Sequence, residues 1–184
     1  MGQRIERLLV RGQQVQAVQL ASGQEISADA FVLSTGHTAP ALAAQVGIHL
    51  PIYPLKGYSI TLDTDGPGLA PQVSITDSAR KVVFARLGER LRVAGMVELV
   101  GSHTHIPPDR IDSLLADTRA LFGDCSRFAD LRPWTGMRPA TPTGLPVLGR
   151  QPQGPANLYL NTGHGGLGFT LAAGSAVQVA AAIG

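Results

Sequence analysis

The stretch "NTGHGGLGFT", residues 161–170, spells G-x-G-x-x-G through Gly163, Gly165 and Gly168. This spelling often marks a dinucleotide-binding turn, but that fingerprint requires a βαβ unit of about 30 residues and an acidic residue about 20 positions further on. Only one short apolar segment, LAAGSAVQVAAAIG, follows it here. We therefore expect the glycines either to permit close packing at a strand-to-helix corner or to contact a cofactor whose main binding unit lies outside this chain.

Composition indicates a globular protein of one ordinary domain or two small ones. The chain has 184 residues, of which 44% are hydrophobic, enough to bury a core. Its net charge of +2 comes from 15 basic and 13 acidic residues without a basic run, which gives no indication of nucleic-acid binding. The single cysteine, Cys125, excludes an internal disulfide framework.

The sequence predicts a chain without a membrane span. No apolar run approaches the roughly 18 to 20 uncharged residues that a span requires, and the first residues, MGQRIERLLVRG, lack the apolar core of a signal peptide. The C-terminal tract 167–183 is apolar but contains Ser175 and Gln178. We expect it to form a helix that is buried against a sheet.

The order of predicted elements indicates an α+β or α/β fold. A hairpin around residues 11–14 precedes a buried strand, 30–33, of the kind found in parallel sheets, and a short helix, 39–46. Strands at 57–62, 72–76, 81–85 and 90–96 and a helix that opens at two prolines and closes at Gly123 then predict an antiparallel sheet with one helix. The strand "NLYLN", the glycine turn and the terminal helix complete the chain.

These elements predict an α/β domain with an inserted antiparallel domain. Residues 1–50 form its first part, residues 51–140 form the inserted antiparallel sheet domain, and residues 141–184 return to the α/β domain.

Arg138 stands in a Gly-x-Arg-Pro setting, "GMRP", at the expected end of a strand. A guanidinium can bind a carboxylate through two parallel hydrogen bonds, so one fixed arginine can orient an amino acid or a hydroxy acid. A surface salt bridge is the alternative interpretation.

The segment "PIYPLKGYS" contains Tyr53, Lys56 and Tyr58. Alternation along a strand places Lys56 and Tyr58 on one face, where they could line one wall of a pocket. Half-buried packing with solvated tips is the alternative. His103 and His105 lack a third ligand nearby, so we expect a solvated loop rather than a metal site.

Four segments together resemble the second half of the FAD-dependent D-amino acid dehydrogenases, in the wider family of D-amino acid oxidase, glycine oxidase and sarcosine oxidase. They are "ADAFVLSTGH", "YPLKGYSITL", "WTGMRPATPTGLPVLGR" and "NLYLNTGHGGLGFTLAAGSA". The resemblance implies that an N-terminal βαβ unit, which holds the ADP part of FAD in that family, is missing from this chain. The fold is then a substrate-binding antiparallel sheet flanked by C-terminal pieces of a Rossmann-like FAD domain.

The resemblance also implies which residues contact FAD. The glycine turn corresponds to the family's second FAD contact, where a helix N-terminus faces the pyrimidine end of the flavin. The implied cofactor-binding residues are Thr35, Gly36, Gly163, His164, Gly165, Gly166, Leu167, Gly168, Phe169 and Thr170.

The reaction that the resemblance implies is hydride transfer from the Cα of a D-amino acid to the flavin, which gives a 2-oxo acid and ammonia. Arg138 would hold the substrate carboxylate, Tyr53, Lys56 and Tyr58 would line the pocket, and no catalytic side chain or metal is named. A separate N-terminal half, a respiratory electron acceptor and self-association through an exposed apolar edge are the expected partners. The expected location is cytoplasmic, with any contact to the inner membrane peripheral.

Two alternatives remain open from the sequence. The chain could be a non-catalytic module that binds a small carboxylate through Arg138, or a relative of glycine or sarcosine oxidase. The isolated chain is expected to be inactive, because the adenine and pyrophosphate sites are absent.

Overall fold

The computed structural model describes residues 2–184, which divide into two compact units. Unit 1 comprises the described residues up to Pro54 together with Arg138–Gly184, and unit 2 comprises Leu55–Met137. The chain passes from one unit to the other within two strands, Tyr53–Asp63 and Arg132–Ala140. The three-part division into 1–50, 51–140 and 141–184, with the roles assigned to each part, stays a prediction.

The described chain contains eleven strands and three α-helices. The strands are β1 Ile5–Arg11, β2 Gln14–Leu20, β3 Glu25–Ser27, β4 Phe31–Leu33, β5 Tyr53–Asp63, β6 Ile75–Asp77, β7 Val82–Leu87, β8 Arg90–Glu98, β9 Arg132–Ala140, β10 Val147–Arg150 and β11 Leu158–Thr162. The helices are α1 Ala39–Ala44, α2 Pro108–Phe122 and α3 Gly168–Ile183. Short 3₁₀ turns, Gly36–Thr38 and Gly165–Leu167, precede α1 and α3.

Unit 1 contains two three-stranded sheets. The first has the order β1-β2-β3 and is antiparallel, which confirms the predicted hairpin. The second has the order β10-β11-β4, in which β11 runs parallel to β4 and antiparallel to β10. Buried apolar side chains from both sheets, from α1 and from the segment after α1 form one core: Val15, Phe31, Leu33, Ala39, Leu42, Ala43, Ile48, Leu50, Leu158 and Leu160.

Strand 30–33 was expected to be buried, as strands of parallel sheets usually are on both faces, but only one of its faces is buried. Phe31 and Leu33 are buried, but Val32 between them is 44% exposed. The strand pairs in parallel with β11, as the apolar run indicated, yet it lies at the edge of its sheet. Because successive side chains point to opposite faces, one face of β4 packs on the core and the other is uncovered by the described residues.

Unit 2 is built on a sheet of strand order β6-β7-β8-β5-β9. The pairs β5 with β8, β7 with β8 and β6 with β7 are antiparallel, which confirms the predicted antiparallel sheet. Helix α2 begins at Pro108, ends before Gly123 with its φ of +52°, and buries Leu114, Leu115 and Thr118. The rings of Phe84 and Phe122 meet edge to face with centroids 5.0 Å apart, so sheet and helix share one core.

The terminal helix differs from the prediction in two respects. Helix α3 packs against β10 and β11, as expected, but it is not a buried helix, because only Ser175 and Val179 are buried. The prediction of a chain without an apolar run long enough for a span is also wrong, because Gly165–Ile183 has 19 residues and is long and apolar enough to cross a membrane by length and composition alone. The Ser, Gln, Thr and Gly residues carry no charge, so they interrupt the apolar run without making the stretch polar on average.

Candidate cofactor and carboxylate site

The glycine turn is a strand-to-helix corner in unit 1. Strand β11 ends at Thr162, and Gly163 and Gly165 follow with φ values of +81° and +56°. A Cβ at Gly163 would lie 2.8 Å from Cγ2 of Thr141, whereas a Cβ at Gly165 would meet nothing within 4 Å. Gly163 is therefore required by backbone conformation and by close packing, while Gly165 leaves open space beside the turn.

No side chain caps the helical segment that begins at this corner. His164 precedes the 3₁₀ turn and Leu167 precedes α3, and neither forms a capping hydrogen bond. The first turns also contain no acidic residue. Backbone N–H groups at a helix N-terminus favour an anion or an electron-rich oxygen, because the helix dipole adds partial positive charge there.

Arg138 lies against this corner. The chain at Ala140, at the end of β9, forms an antiparallel bridge with His164. A Cβ at Gly166 would lie 3.7 Å from Cδ of Arg138, so the arginine stem covers the face of the turn that a larger residue would fill. Burial lowers the pKa of Arg138, but a guanidinium remains charged at neutral pH. The structure thus brings together the carboxylate-binding candidate and the glycine turn.

Thr35 and Gly36 lie at the end of β4 in the same unit. The hydroxyl of Thr162 donates a hydrogen bond of 3.2 Å to the carbonyl oxygen of Gly36, which ties this segment to the residue that precedes Gly163. Thr35 also lines a surface cavity of about 520 Å³ together with Arg4, Thr38 and Leu42. Thr162 therefore connects Gly36 to the glycine turn, the two segments that the family resemblance assigned to the cofactor. The sequence analysis did not single out Thr162.

The remaining residues of the predicted cofactor set differ in exposure. Phe169 is 99% exposed and Leu167 is 56% exposed, and Thr170 is also exposed. By contrast, Nε2 of His164 is buried and has no hydrogen-bond partner among the described residues. The cofactor roles of all these residues stay predictions.

Lys56 and Tyr58 share one face of β5 in unit 2, as alternation predicted. The Lys56 ammonium lies 5.0 Å from the centre of the Tyr58 ring. Both side chains are buried, at 3% and 1% exposure. Lys56 Nζ donates a hydrogen bond to the carbonyl oxygen of His105, and the Tyr58 hydroxyl donates one to Glu98. Their polar tips have protein partners, so a role in substrate binding stays a prediction, as it does for Tyr53, which is 46% exposed.

Glu98 is the centre of a polar cluster that sequence reasoning did not identify. Its carboxylate accepts hydrogen bonds from Tyr58 and, at 2.6 Å, from Nε of Arg110. These contacts lower the pKa of Glu98, the tyrosine bond having the largest effect. Burial and the bond to Glu98 raise the pKa of Tyr58 to about 12. No local sequence pattern identifies Glu98, because it meets Lys56 only through the pairing of β8 with β5.

His103 and His105 lie in the exposed loop that follows β8. The main chain of His105 accepts the Lys56 hydrogen bond. Among residues 2–184, no group of three or more His, Cys, Asp and Glu side chains is placed to hold a metal ion.

Comparisons with known proteins agree on one family. Residues 2–182 match the family DAO, described as FAD dependent oxidoreductase. D-amino acid dehydrogenase 2 of Ralstonia nicotianae is 49% identical over 179 residues, which cover 93% of this chain and 41% of that protein. D-amino acid dehydrogenase 2 of Pseudomonas aeruginosa is 45% identical over 183 residues, covering 100% of this chain and 43% of that protein. The chain thus spans about two fifths of the length of the curated relatives it matches.

Solved structures share the fold. Glycine oxidase from Geobacillus kaustophilus superposes with a TM-score of 0.86 at 23% identity, covering 98% of this chain and 48% of that one. L-proline dehydrogenase from P. horikoshii superposes with a TM-score of 0.76 at 16% identity, covering 97% of this chain and 48% of that one. The family match over nearly the whole chain and this shared fold agree with the resemblance seen in the sequence, and the chain belongs to the DAO family of FAD-dependent oxidoreductases.

Proposed function

We propose that this chain is the C-terminal portion of a flavin-dependent dehydrogenase that oxidatively deaminates D-amino acids to 2-oxo acids and ammonia. Similarity to proteins named D-amino acid dehydrogenase supports the substrate class. The observation that carries the proposal is the packing of the Arg138 stem on Gly166. This packing supports a carboxylate-binding role for Arg138, because its stem lies beside a helix N-terminus that no side chain caps.

The residues of the glycine turn fit the ring end of FAD. A Cβ at Gly165 would meet nothing within 4 Å, so the main chain is accessible there, and the uncapped N–H groups suit the electron-rich edge of the ring. Gly163 to Thr170 would hold that end, with Thr35 and Gly36 at the end of β4 as a second contact. When bound, FAD supplies the acceptor for the hydride that leaves the amino-acid carbon.

Arg138 performs the positioning that such a transfer requires. Its guanidinium binds the substrate carboxylate through two parallel hydrogen bonds and so limits rotation about the bond to Cα. The backbone N–H groups of the turn stabilise negative charge that develops next to them. Holding the reacting carbon in one orientation lowers the entropic part of the barrier. The substrate amine must be unprotonated, and we assign no side chain of this chain as its base.

A second polypeptide segment is part of the proposal. The chain spans about 41% of the Ralstonia relative, and α3 and β4 expose Val32, Phe169 and Val177 at 44%, 99% and 70%. We assign these apolar surfaces to contact with a complementary N-terminal half that supplies the ADP-binding unit. The respiratory electron acceptor and a cytoplasmic location with peripheral membrane contact belong to the same proposal.

Flavin retention tests whether the FAD site is shared between this chain and a complementary N-terminal half. The purified chain is incubated with FAD and desalted, and its absorbance is recorded while quenching of Trp134 fluorescence is followed. We expect no stoichiometric flavin, because the proposed ADP site lies in the other half. Retained flavin near one per chain would contradict that division of the site.

Carboxylate binding tests Arg138 separately. Amide resonances of the ¹⁵N-labelled chain are followed during titration with D-alanine, for wild type and for Arg138→Ala. We expect shifts at the glycine turn in the wild type that disappear in the variant. Arg150→Ala is the matched control, because Arg150 is an exposed arginine of the same unit. Unchanged binding by Arg138→Ala would remove the assigned role.

The non-catalytic carboxylate-binding module remains the second candidate, because Arg138 and the glycine turn both lie within this chain. It predicts D-alanine binding that is unaffected when a complementary half is supplied, whereas the dehydrogenase proposal predicts flavin retention and substrate oxidation by the recombined halves.

A further inference from the structure

Arg92 differs from most arginines of unit 2 in having no carboxylate partner. Six others form ion pairs of 2.6–3.6 Å with an Asp or Glu: Arg80, Arg86, Arg90, Arg110, Arg127 and Arg132. Among residues 2–184, no carboxylate pairs with Arg92, although it is partly buried on β8. A partly buried cation without a counter-ion loses hydration that no protein charge replaces, so it favours an anion from outside the chain.

The Arg92 side chain is held in one orientation. Its Nη2 donates a hydrogen bond of 2.9 Å to the hydroxyl of Ser59, which is 2% exposed. Its guanidinium carbon lies 5.3 Å from the centre of the Trp134 ring. A Cβ at Gly136 would lie 2.1 Å from Cη2 of Trp134, so the glycine is what permits this ring position. The ring and the hydroxyl together orient the cation before any ligand binds.

The guanidinium keeps donors for a ligand. It carries five N–H groups in a planar fork, of which the hydrogen bond just described uses one. The cross-strand neighbours of Arg92 are Thr61 on β5 and Ala85 on β7, and neither is charged. Asp63, two positions beyond Thr61, pairs with Arg90 instead. The fork can therefore bind both oxygens of a carboxylate through parallel hydrogen bonds.

The surroundings of this cation are apolar. Alternation places Ala94 on the same face of β8 as Arg92. Ala94 pairs with Val83 on β7, which is 40% exposed, and the Trp134 ring on β9 is 55% exposed. Accessible apolar side chains around a cation match a ligand that carries hydrocarbon next to its anionic group.

We propose that Arg92, Ser59 and Trp134 form a carboxylate-binding site of unit 2 that takes a small carboxylic acid with an apolar body. The carboxylate binds the guanidinium fork, and the hydrocarbon packs on the Trp134 ring. The three residues belong to one continuous segment, Leu55–Met137. The proposal does not rest on the proposed dehydrogenase function.

Tryptophan fluorescence tests this site directly, because Trp134 is the only tryptophan of the chain. The full chain is titrated with cyclohexanecarboxylate, which does not absorb at the excitation wavelength, and tryptophan emission is recorded. We expect a saturable change in emission. Cyclohexanecarboxamide, which has the same ring and no charge, should give no saturable change at the same concentrations. No saturable response to the carboxylate, or an equal response to the amide, would overturn the proposal.

Arg92→Gln is expected to weaken the affinity for cyclohexanecarboxylate about tenfold or more, because hydrogen bonds to a charged group are lost. Arg119→Gln is the matched control. Arg119 also lies over an aromatic ring, at 4.3 Å from the centre of Phe128, and has no carboxylate partner among residues 2–184. Its replacement should leave the affinity at the wild-type value, and a loss equal to that in Arg92→Gln would overturn the proposal.

Ser59→Ala keeps the charge of Arg92 and removes the hydroxyl that orients it. We expect a smaller loss of affinity than in Arg92→Gln. Wild-type affinity in Arg92→Gln would overturn the proposal, and where that variant does not fold, wild-type affinity in Ser59→Ala would do so. Loss of the emission change in Arg138→Ala, with wild-type affinity in Arg92→Gln, would assign the ligand to Arg138 instead.

Discussion

Within each unit, a polar side chain connects segments that are distant in the sequence. In unit 1 this side chain is a neutral amide, and in unit 2 it is a carboxylate. In unit 1 the neutral amide of Asn157 accepts a hydrogen bond of 2.8 Å from the Val15 N–H and donates bonds of 2.9 Å to the Val15 carbonyl and 3.2 Å to the Asp29 carbonyl. In unit 2 the carboxylate of Glu98 accepts from Tyr58 and Arg110. The first arrangement has no titratable side chain and the second consists of titratable side chains, so we expect the stability of unit 2 to vary more with pH.

Core truncation is expected to have the largest effect and to show whether the units unfold separately. Phe84 in unit 2 and Leu160 in unit 1 are both fully buried. Phe84→Ala is expected to cost about 3–5 kcal/mol and Leu160→Ala about 2–5 kcal/mol. Hydrogen exchange measured by mass spectrometry should show faster exchange confined to the mutated unit. Equal acceleration in both units would mean that they unfold as one.

Tyr58→Phe is expected to reduce the free energy of unfolding of unit 2 by about 1.5–3 kcal/mol, the usual range for a hydrogen bond to a charged group. The change removes the donor to Glu98 and leaves the ring in place. Urea unfolding monitored by hydrogen exchange of unit 2 measures it. Tyr159→Phe, a buried tyrosine of unit 1, is the matched control. An equal loss in both variants would mean that the charged acceptor adds nothing.

The pKa shifts of Glu98 and Tyr58 predict that unit 2 loses stability at both ends of the pH range. The lowered pKa of Glu98 stabilises the fold above its ordinary value of 4.5, and that contribution is lost as the pH falls through the lowered pKa. The pKa of Tyr58, raised from 10.0 to about 12, contributes stability below pH 10 that is lost as the pH rises toward 12. Urea midpoints across this range should show both losses in the wild type, and Tyr58→Phe should lack the alkaline one.

Asn157→Ala is expected to cost unit 1 about 1–2 kcal/mol, because neutral hydrogen bonds contribute less than charged ones. The substitution leaves the Val15 N–H without its side-chain acceptor. The decrease in the free energy of unfolding of unit 1, measured by urea unfolding, should be the same at pH 4 and pH 8. A loss that changes with pH would contradict the contrast drawn between the units.

Arg80→Gln is expected to have the smallest effect. Arg80 is bonded to Asp77 and Asp117, but its side chain is 44% exposed, and exposed ion pairs contribute little. We expect no measurable change in the urea midpoint of unit 2. A clear decrease would show that surface charges stabilise this unit as its buried cluster does.

The sequence predicted the elements that local signals define. The hairpin at Gly12, the prolines that open α2 and Gly123 at its end are all where the residues indicated. It did not predict strand β10, which lies in a segment dense in proline and glycine. The exposure of α3 was also missed, because burial depends on what packs against a helix rather than on its composition.

Local sequence patterns pointed to some residues of the candidate site, but the contacts between distant residues could not be predicted. The glycine spacing and the Gly-x-Arg-Pro setting identified the turn and Arg138, but only the fold showed that Arg138 lies against Gly166. Asn157 and Val15 are 142 residues apart, and no local pattern connects them. Thr162 and Glu98 were missed for the same reason, since their partners lie on other strands.

The continuity of unit 2 has a consequence for how such proteins diversify. Leu55–Met137 is one uninterrupted segment, and the strands through which it enters and leaves, β5 and β9, are neighbours in the same sheet. Its two ends are therefore close enough for the whole segment to be exchanged between homologues without lengthening the connections. A lineage could therefore replace unit 2 as a single segment while Arg138 and the glycine turn stay in the recipient.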